Sequence, residues 1–295
     1  MPKTNRERAI PAAIGIAITV AMVAVSAPAF ATPKTVCTIT VNSADEKDVF
    51  QRYLPADDYR FVELVASGRP DWLGSACRTG VQCDVLVISG HFDAGTEFYS
   101  DRLEQRESLA VEEMERVACS DSCGLFSQLK EVYLFGCNTL NGDVAESTTA
   151  EIARTLSRSG HSLDDAAHLA RILDRRYTES NRDTMRRIFS NVPVIYGFSS
   201  LAPLGRVAGP LLGKVFETAQ PGEIGSGNAS MTLLTAFGPS SMIAVTGLAD
   251  FETRALARPQ FCEFVNDRST VADRIATVLG GHVASKRVCK FASSQ

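Results

Sequence analysis

The chain has 295 residues, of which 45% are hydrophobic and 22% charged, with a formal net charge of −4. This balance excludes an intrinsically disordered polymer, which buries too little apolar surface to offset its ordering entropy. It also argues against nucleic acid as a partner, because phosphate binding requires a basic surface. The length suffices for one large core or a core domain with an appendage.

Lys3, Arg6 and Arg8 precede an uncharged run from Ala9 to Ala31 that closes on Ala29-Phe30-Ala31. A basic start, an apolar stretch and small residues at the junction predict a secretory signal peptide over residues 1–31. Cleavage after Ala31 leaves 264 residues starting at Thr32, with 27 basic and 33 acidic side chains and a charge of −6. The same 23 residues are long enough to span a bilayer. Membrane association is therefore expected only if the segment stays uncleaved, whereas Pro28 and the terminal tripeptide favour cleavage and an exported, periplasmic or extracellular protein.

From there the pattern predicts strands at Val36–Val41, Tyr59–Val65, Asp84–Ser89, Glu131–Gly136 and Val192–Gly197. The third, fourth and fifth (VLVIS, VYLFG, VPVIYG) are nearly continuous apolar runs, as expected of strands buried on both faces. Helices are expected at Ala44–Leu54, Ser108–Ala118, Glu146–Ser157 and within the arginine-rich stretch Leu163–Phe189. In that stretch Leu169, Ile172 and Leu173 recur at helical spacing. The Arg175-Arg176 and Arg186-Arg187 pairs read as a solvated face, with processing cleavage as the alternative. Strands alternating with helices predict βαβ units, a mostly parallel sheet and an α/β fold.

After Ser199 the Gly- and Pro-rich segments PLGRVAGPLLGK and QPGEIGSGNAS predict a loop-rich excursion. Two apolar runs (MTLLTAF, MIAVTGL) and a helix near Thr270–Leu279 complete the chain. The organisation is thus a signal at 1–31, a core at 32–200 and a loop-rich extension of the same domain at 201–295. Asn228-Ala229-Ser230 matches a glycosylation sequon, relevant only in a eukaryotic secretory pathway.

Eight cysteines in an exported chain imply disulfides. Connectivity is not encoded in spacing. Proximity alone suggests Cys77 with Cys83, Cys119 with Cys123, and Cys262 with Cys289. If Cys137 is a free thiol, an odd number remains and at least one more cysteine is unpaired. Cys37, in an apolar strand, is the candidate because a buried thiol behaves as a small hydrophobe. Gathering Cys119 and Cys123 with His91 or Cys83 as a zinc site rests on a single CxxxC, a weak signal, so neither metal nor cofactor is expected. His161, His168 and His282 read as surface residues.

Two strands end on residues able to do nucleophilic chemistry: VLVISG runs into His91 and VYLFG into Cys137. Ligands of open parallel sheets bind outside the carboxyl ends of the strands. If these two strands are neighbours, both side chains enter one crevice. Gly90 and Gly136 are expected to let the backbone turn out of the sheet. The strand VPVIYG would deliver Phe198, Ser199 and Ser200 to the same edge as lining of a substrate groove.

An apolar strand ending in Ser-Gly-His, followed by one ending in a small residue and Cys, resembles the caspase-like cysteine peptidases, a superfamily that includes caspases, metacaspases, legumain, gingipain, separase and bacterial CHAT domains. The resemblance covers about Val36 to Ser200, and SGHF, the CxxxC pair and LFGCNTL resemble bacterial caspase-like proteins most closely. It implies a three-layer sandwich with helices on both faces of the sheet, and a cofactor-free cysteine endopeptidase acting on a protein or peptide. It makes Cys137 the nucleophile, His91 the general acid/base, and the backbone N–H groups of Phe92 and Cys137 the oxyanion donors.

The chain departs from the family pattern twice. Phe92 follows the histidine where the family usually has Gly, and Phe135 stands where metacaspases and several relatives carry an Asp for a basic P1 side chain. Asp93 is either an orienting partner of His91 or, more simply, an exposed loop acid. Two other classes of function use the same residues: a non-proteolytic caspase-like module that binds peptide or protein, and cysteine acyl transfer other than hydrolysis. Fold does not separate these.

Overall fold

The computed structural model describes residues 32–64, 73–92, 97–100, 107–143, 179–218 and 221–252, with 153, 162–164, 166 and 262. The chain divides into compact units at Thr32/Pro33. The signal segment and the helices expected at 146–157 and 270–279 lie outside the described residues, apart from Ala153.

The central sheet is built from β1 (Lys34–Thr40), β2 (Tyr59–Glu63), β3 (Val85–Ser89), β6 (Glu131–Phe135), β7 (Val194–Phe198) and β8 (Met242–Val245), in the order β2-β1-β3-β6-β7-β8. The first five run parallel, and β8 closes the edge antiparallel to β7. All five strands read from the sequence are present, with ends within two residues of those expected. The protein is therefore an α/β protein with a mostly parallel central sheet.

Strand periodicity sorts the core into two clusters. Leu86, Ile88, Val132 and Leu134 face one side, packed with Met114, Met185 and Ile188. Val85, Val87, Tyr133 and Phe135 face the other, packed with Phe50, Leu212 and Phe237. The first face is covered by α2 (Gly74–Arg78), α3 (Val111–Ala118) and α4 (Asn181–Ile188), the second by α1 (Asp45–Tyr53), α5 (Gly205–Thr218) and α6 (Met231–Phe237). Helix α1 starts with Asp45, Glu46 and Asp48 and ends with Arg52, charges that complement its dipole. A short hairpin of β4 (Glu97–Tyr99) and β5 (Ser108–Ala110) stands between β3 and α3. It takes the first three residues of the helix expected at 108–118.

Of the two segments expected to be loop after Ser199, QPGEIGSGNAS is turn and loop over its described residues 221–230, whereas PLGRVAGPLLGK is helical from Gly205. PLGRVAGPLLGK forms most of α5 despite Pro210, with Gly209 and Gly213 packed beside Asp45 and Tyr53 of α1. Tertiary contact overrides low helix propensity here. MTLLTAF is the helix α6, capped by the Ser230 hydroxyl, which accepts the Leu233 N–H. Residues 205–245 thus complete the second layer and the sheet edge.

Disulfides are present, but with other partners than proximity suggested. Cys37 pairs with Cys83, Cys77 with Cys123, and Cys119 with Cys262. Cys37 is therefore not the odd thiol. β1 and β3 are adjacent, so a cysteine within β1 meets one just before β3, and sheet topology rather than sequence distance selects the partner. The first two bridges each close 46 residues, worth roughly 4 kcal/mol apiece in the chain-entropy account. Cys137 is a free thiol, and Cys289 lies outside the described residues. Among the described residues no helix is long and apolar enough to cross a membrane.

Candidate functional site

The strand order reverses between β1 and β3, since the chain goes from β1 outward to β2 and then returns to the other side of β1. A topological switch point of this kind opens a crevice at the carboxyl ends of the strands. The crevice is lined by Asn42, Ser43 and Glu46 after β1, Ser89–His91 after β3, Phe135–Cys137 after β6, and Ala202–Gly205 after β7. β3 and β6 are parallel neighbours with Ser89 opposite Phe135. Two residues further along each strand, His91 and Cys137 both reach this crevice.

Gly136 is needed for close approach rather than for a special backbone angle. A Cβ there would lie 2.8 Å from the Phe92 Cβ and 2.9 Å from the Gly90 carbonyl oxygen. Neither Gly90 nor Gly136 has positive φ; the sharp turn falls one residue past the thiol, at Asn138 with φ 59°, a conformation Asn tolerates better than most residues. The turn is tied down on several sides. The Asn138 N–H donates to the Ser200 carbonyl at 2.7 Å, the Leu140 N–H to the Phe198 carbonyl at 2.9 Å, and the Asn181 side chain to the Asn138 carbonyl at 2.9 Å. The Ala202 N–H donates to Cys137 Sγ at 3.3 Å, so the loop after β7 supplies the sulfur with a fixed donor.

His91 is held by its main chain and its ring. It exchanges both backbone hydrogen bonds with Tyr99 of the hairpin, each 2.9 Å, and the two rings lie 5.4 Å apart between centroids. The Asn42 amide nitrogen is 3.0 Å from His91 Nε2, and the Ser100 hydroxyl donates to Asn42 Oδ1 at 3.2 Å. Phe92 turns inward, 1% exposed, with its ring 4.6 Å from that of Phe98 between centroids. The bulky residue after the histidine thus enters the core under the hairpin and leaves the crevice clear. Asp93 lies outside the described residues.

The proposed groove residues after β7 are only partly placed as expected. Phe198 is fully buried with Phe135 and Phe237, because it is the last residue of β7 and falls on the core-facing register. Ser199 gives its N–H and its hydroxyl to the Ser241 carbonyl, so it serves the junction with β8. Ser200 is exposed and touches the Cys137 turn through its carbonyl alone. The wall at this position comes instead from Ala202, Pro203 and Leu204.

Glu46 was not singled out by sequence reasoning. It is 3% exposed and lines the crevice, and among the described residues its Oε2 has no hydrogen-bond partner. Burial pushes its carboxyl up to about 7, with nearby Asp45 adding to the shift; its own N–H and the Ser89 hydroxyl offset this only in part. The available signal was topological: the turn after β1 flanks the switch point. Cys83, Cys119 and Cys123 are all in disulfides, which removes the thiolates of the competing zinc arrangement. Among the described residues no group of three or more His, Cys, Asp or Glu side chains is arranged to hold a metal ion.

No protein-family model, curated protein or solved structure matches the chain. The functional reading therefore rests on the α/β class of the fold and the geometry of this crevice.

Proposed function

We propose that the protein is an exported cysteine endopeptidase of caspase-like three-layer architecture, with Cys137 as nucleophile and His91 as general acid/base. One observation carries the reading: adjacent parallel strands bring His91 and the free thiol of Cys137 into one crevice at the switch point. In a chain with three described disulfides, a partly exposed reduced cysteine sharing a crevice with a histidine suits chemistry better than packing.

In this mechanism His91 takes the Cys137 proton, the thiolate adds to the scissile carbonyl, and His91 returns the proton to the leaving amine. Water then hydrolyses the acyl-enzyme. The N–H groups of Gly90, His91 and Asn138 are committed to the carbonyls of Phe135, Tyr99 and Ser200. The oxyanion donors proposed from the family resemblance are the backbone N–H groups of Phe92 and Cys137. The substrate is a protein or peptide, the cofactor none, and the disulfides suit an oxidising compartment.

The reading is tested by hydrolysis of a fluorogenic peptide library by the mature chain made in an oxidising host. Cleavage that disappears in both Cys137→Ala and His91→Ala supports it. Cleavage that survives Cys137→Ala at the wild-type rate overturns it.

A further inference from the structure

Glu46 is a buried carboxyl in the lining of a solvent-connected crevice, and among the described residues its Oε2 has no hydrogen-bond partner. A buried polar atom without a partner carries a desolvation cost that a suitable donor relieves. The other groups around it indicate which donor fits. Among the described lining residues there is no Lys or Arg, and His91 is the one side chain able to carry a positive charge. The amino ends of α1 and α5 also approach here, yet their local needs are met within the fold. Asp45 accepts from the Ser43 hydroxyl at 2.7 Å, the Asp45 N–H donates to Ser43 Oγ at 3.1 Å, and Gly205 packs directly on these two side chains. An acidic ligand would meet the Glu46 carboxyl with no described basic side chain in the lining other than His91 to balance it. A cationic group would instead give Glu46 a charge-assisted hydrogen bond, and Ala202, Pro203 and Leu204 provide an apolar wall for the methylene stem of lysine or arginine.

Resting on the peptidase reading of this crevice, we propose that Glu46 is the residue that selects a cationic P1 side chain, lysine or arginine. The acid comes from the first turn of α1, whereas the position two residues before the nucleophile, Phe135, is buried against Phe198 and Phe237.

The test uses the mature chain and reads Cys137 directly. Three methanethiosulfonates are compared: aminoethyl (cationic), methyl (neutral) and sulfonatoethyl (anionic). In each case the Cys137 thiolate attacks the sulfenyl sulfur, forms a mixed disulfide and expels methanesulfinate, so the ratio of rates cancels the thiolate fraction. Rates are measured at pH 8.5 by peptide mapping of Cys137 and normalised to a small free thiol. The expected cationic-to-neutral preference in the wild type is about tenfold, the size of one screened charge contact. Glu46→Gln is expected to bring it to the free-thiol value, and Glu46→Asp to retain part of it. A wild-type ratio equal to that of the free thiol, or a preference unchanged in Glu46→Gln, overturns the proposal.

Acyloxymethyl ketone peptides with Lys, Arg, Leu or Asp at P1 supply the second arm. Preference for Lys or Arg that is lost in Glu46→Gln supports the substrate assignment, and a Glu46-independent preference for Leu or Asp overturns it. If no ketone labels Cys137 while the Glu46-dependent ratio persists, the peptidase reading fails and with it the P1 assignment, but the cation-selective crevice stands.

Discussion

At the amino end of the sheet Glu131 is 1% exposed, yet its Oε2 accepts from the Tyr133 hydroxyl at 2.6 Å and its Oε1 from the Gly227 N–H at 3.1 Å. At the carboxyl end Glu46 is 3% exposed and its Oε2 accepts from no group among the described residues. Around Glu131 the polar groups are closed into a network. Tyr59 donates to the Ile224 carbonyl, as does Lys34, and the Ser230 N–H donates to the Tyr196 hydroxyl, so the 221–230 segment is pinned under the sheet. Burial and the Glu131 charge raise the Tyr133 hydroxyl well above its ordinary range, which keeps it a neutral donor. A completed network specifies structure. The proposed ligand site rests on the contrast: a buried acid left incomplete beside a free thiol and a histidine.

The largest effect expected from breaking this contrast is on activity at the carboxyl end. Cys137→Ala and His91→Ala should each lower kcat/KM for peptide hydrolysis by at least about 1000-fold, with melting temperatures close to wild type. At the amino end the expected effect is on stability alone. Replacing Cys37 and Cys83 together by alanine should lower the unfolding free energy by roughly 4 kcal/mol, measured by denaturant titration, while Cys137 keeps its reactivity in the remaining folded protein.

Next in size is the pH dependence that Glu46 imposes. Its carboxyl sits near 7 in the folded chain against an ordinary 4.5, so between these values the folded state holds the extra proton. Its contribution to stability is full below 4.5 and lost as pH rises through 7. From pH 4 to pH 8.5 the wild type should therefore lose about 3 kcal/mol more than Glu46→Gln in paired denaturant titrations. Equal pH profiles in the two proteins would show that Glu46 is not the strained acid. The smallest effect is Glu131→Gln, which keeps one acceptor for Tyr133 or Gly227 and should cost about 2 kcal/mol without altering the cationic-to-neutral labelling ratio at Cys137.

The sheet was readable because its strands carry two core faces at once. VLVIS and VYLFG have no polar position that a solvent-facing strand would need, so burial on both sides and neighbouring helices followed. Placement of His91 and Cys137 at strand ends was readable for the same reason, since strands that end in register carry their next residues to one edge. What failed depended on packing between distant segments. Helix α5 looked like loop because Gly209, Pro210 and Gly213 disfavour an isolated helix, whereas burial of Ala208, Leu212 and Val215 in the second core cluster holds it helical. The disulfide partners follow from β1 lying beside β3, which no spacing of cysteines reveals. Phe198 faces the core because β7 runs one residue further than its apolar pattern suggested. Glu46 was hidden by its ordinariness, since an acid in the first turn of a helix is expected at a solvated end and only the switch point makes it a buried one.

The most direct test of the central claim is active-site labelling of the native mature chain with peptide acyloxymethyl ketones, located by mass spectrometry. The account predicts a single thioether at Cys137 in the wild type and none in His91→Ala under the same conditions. Detection of Cys137 in a disulfide in the native protein, or equal labelling in His91→Ala, would contradict it.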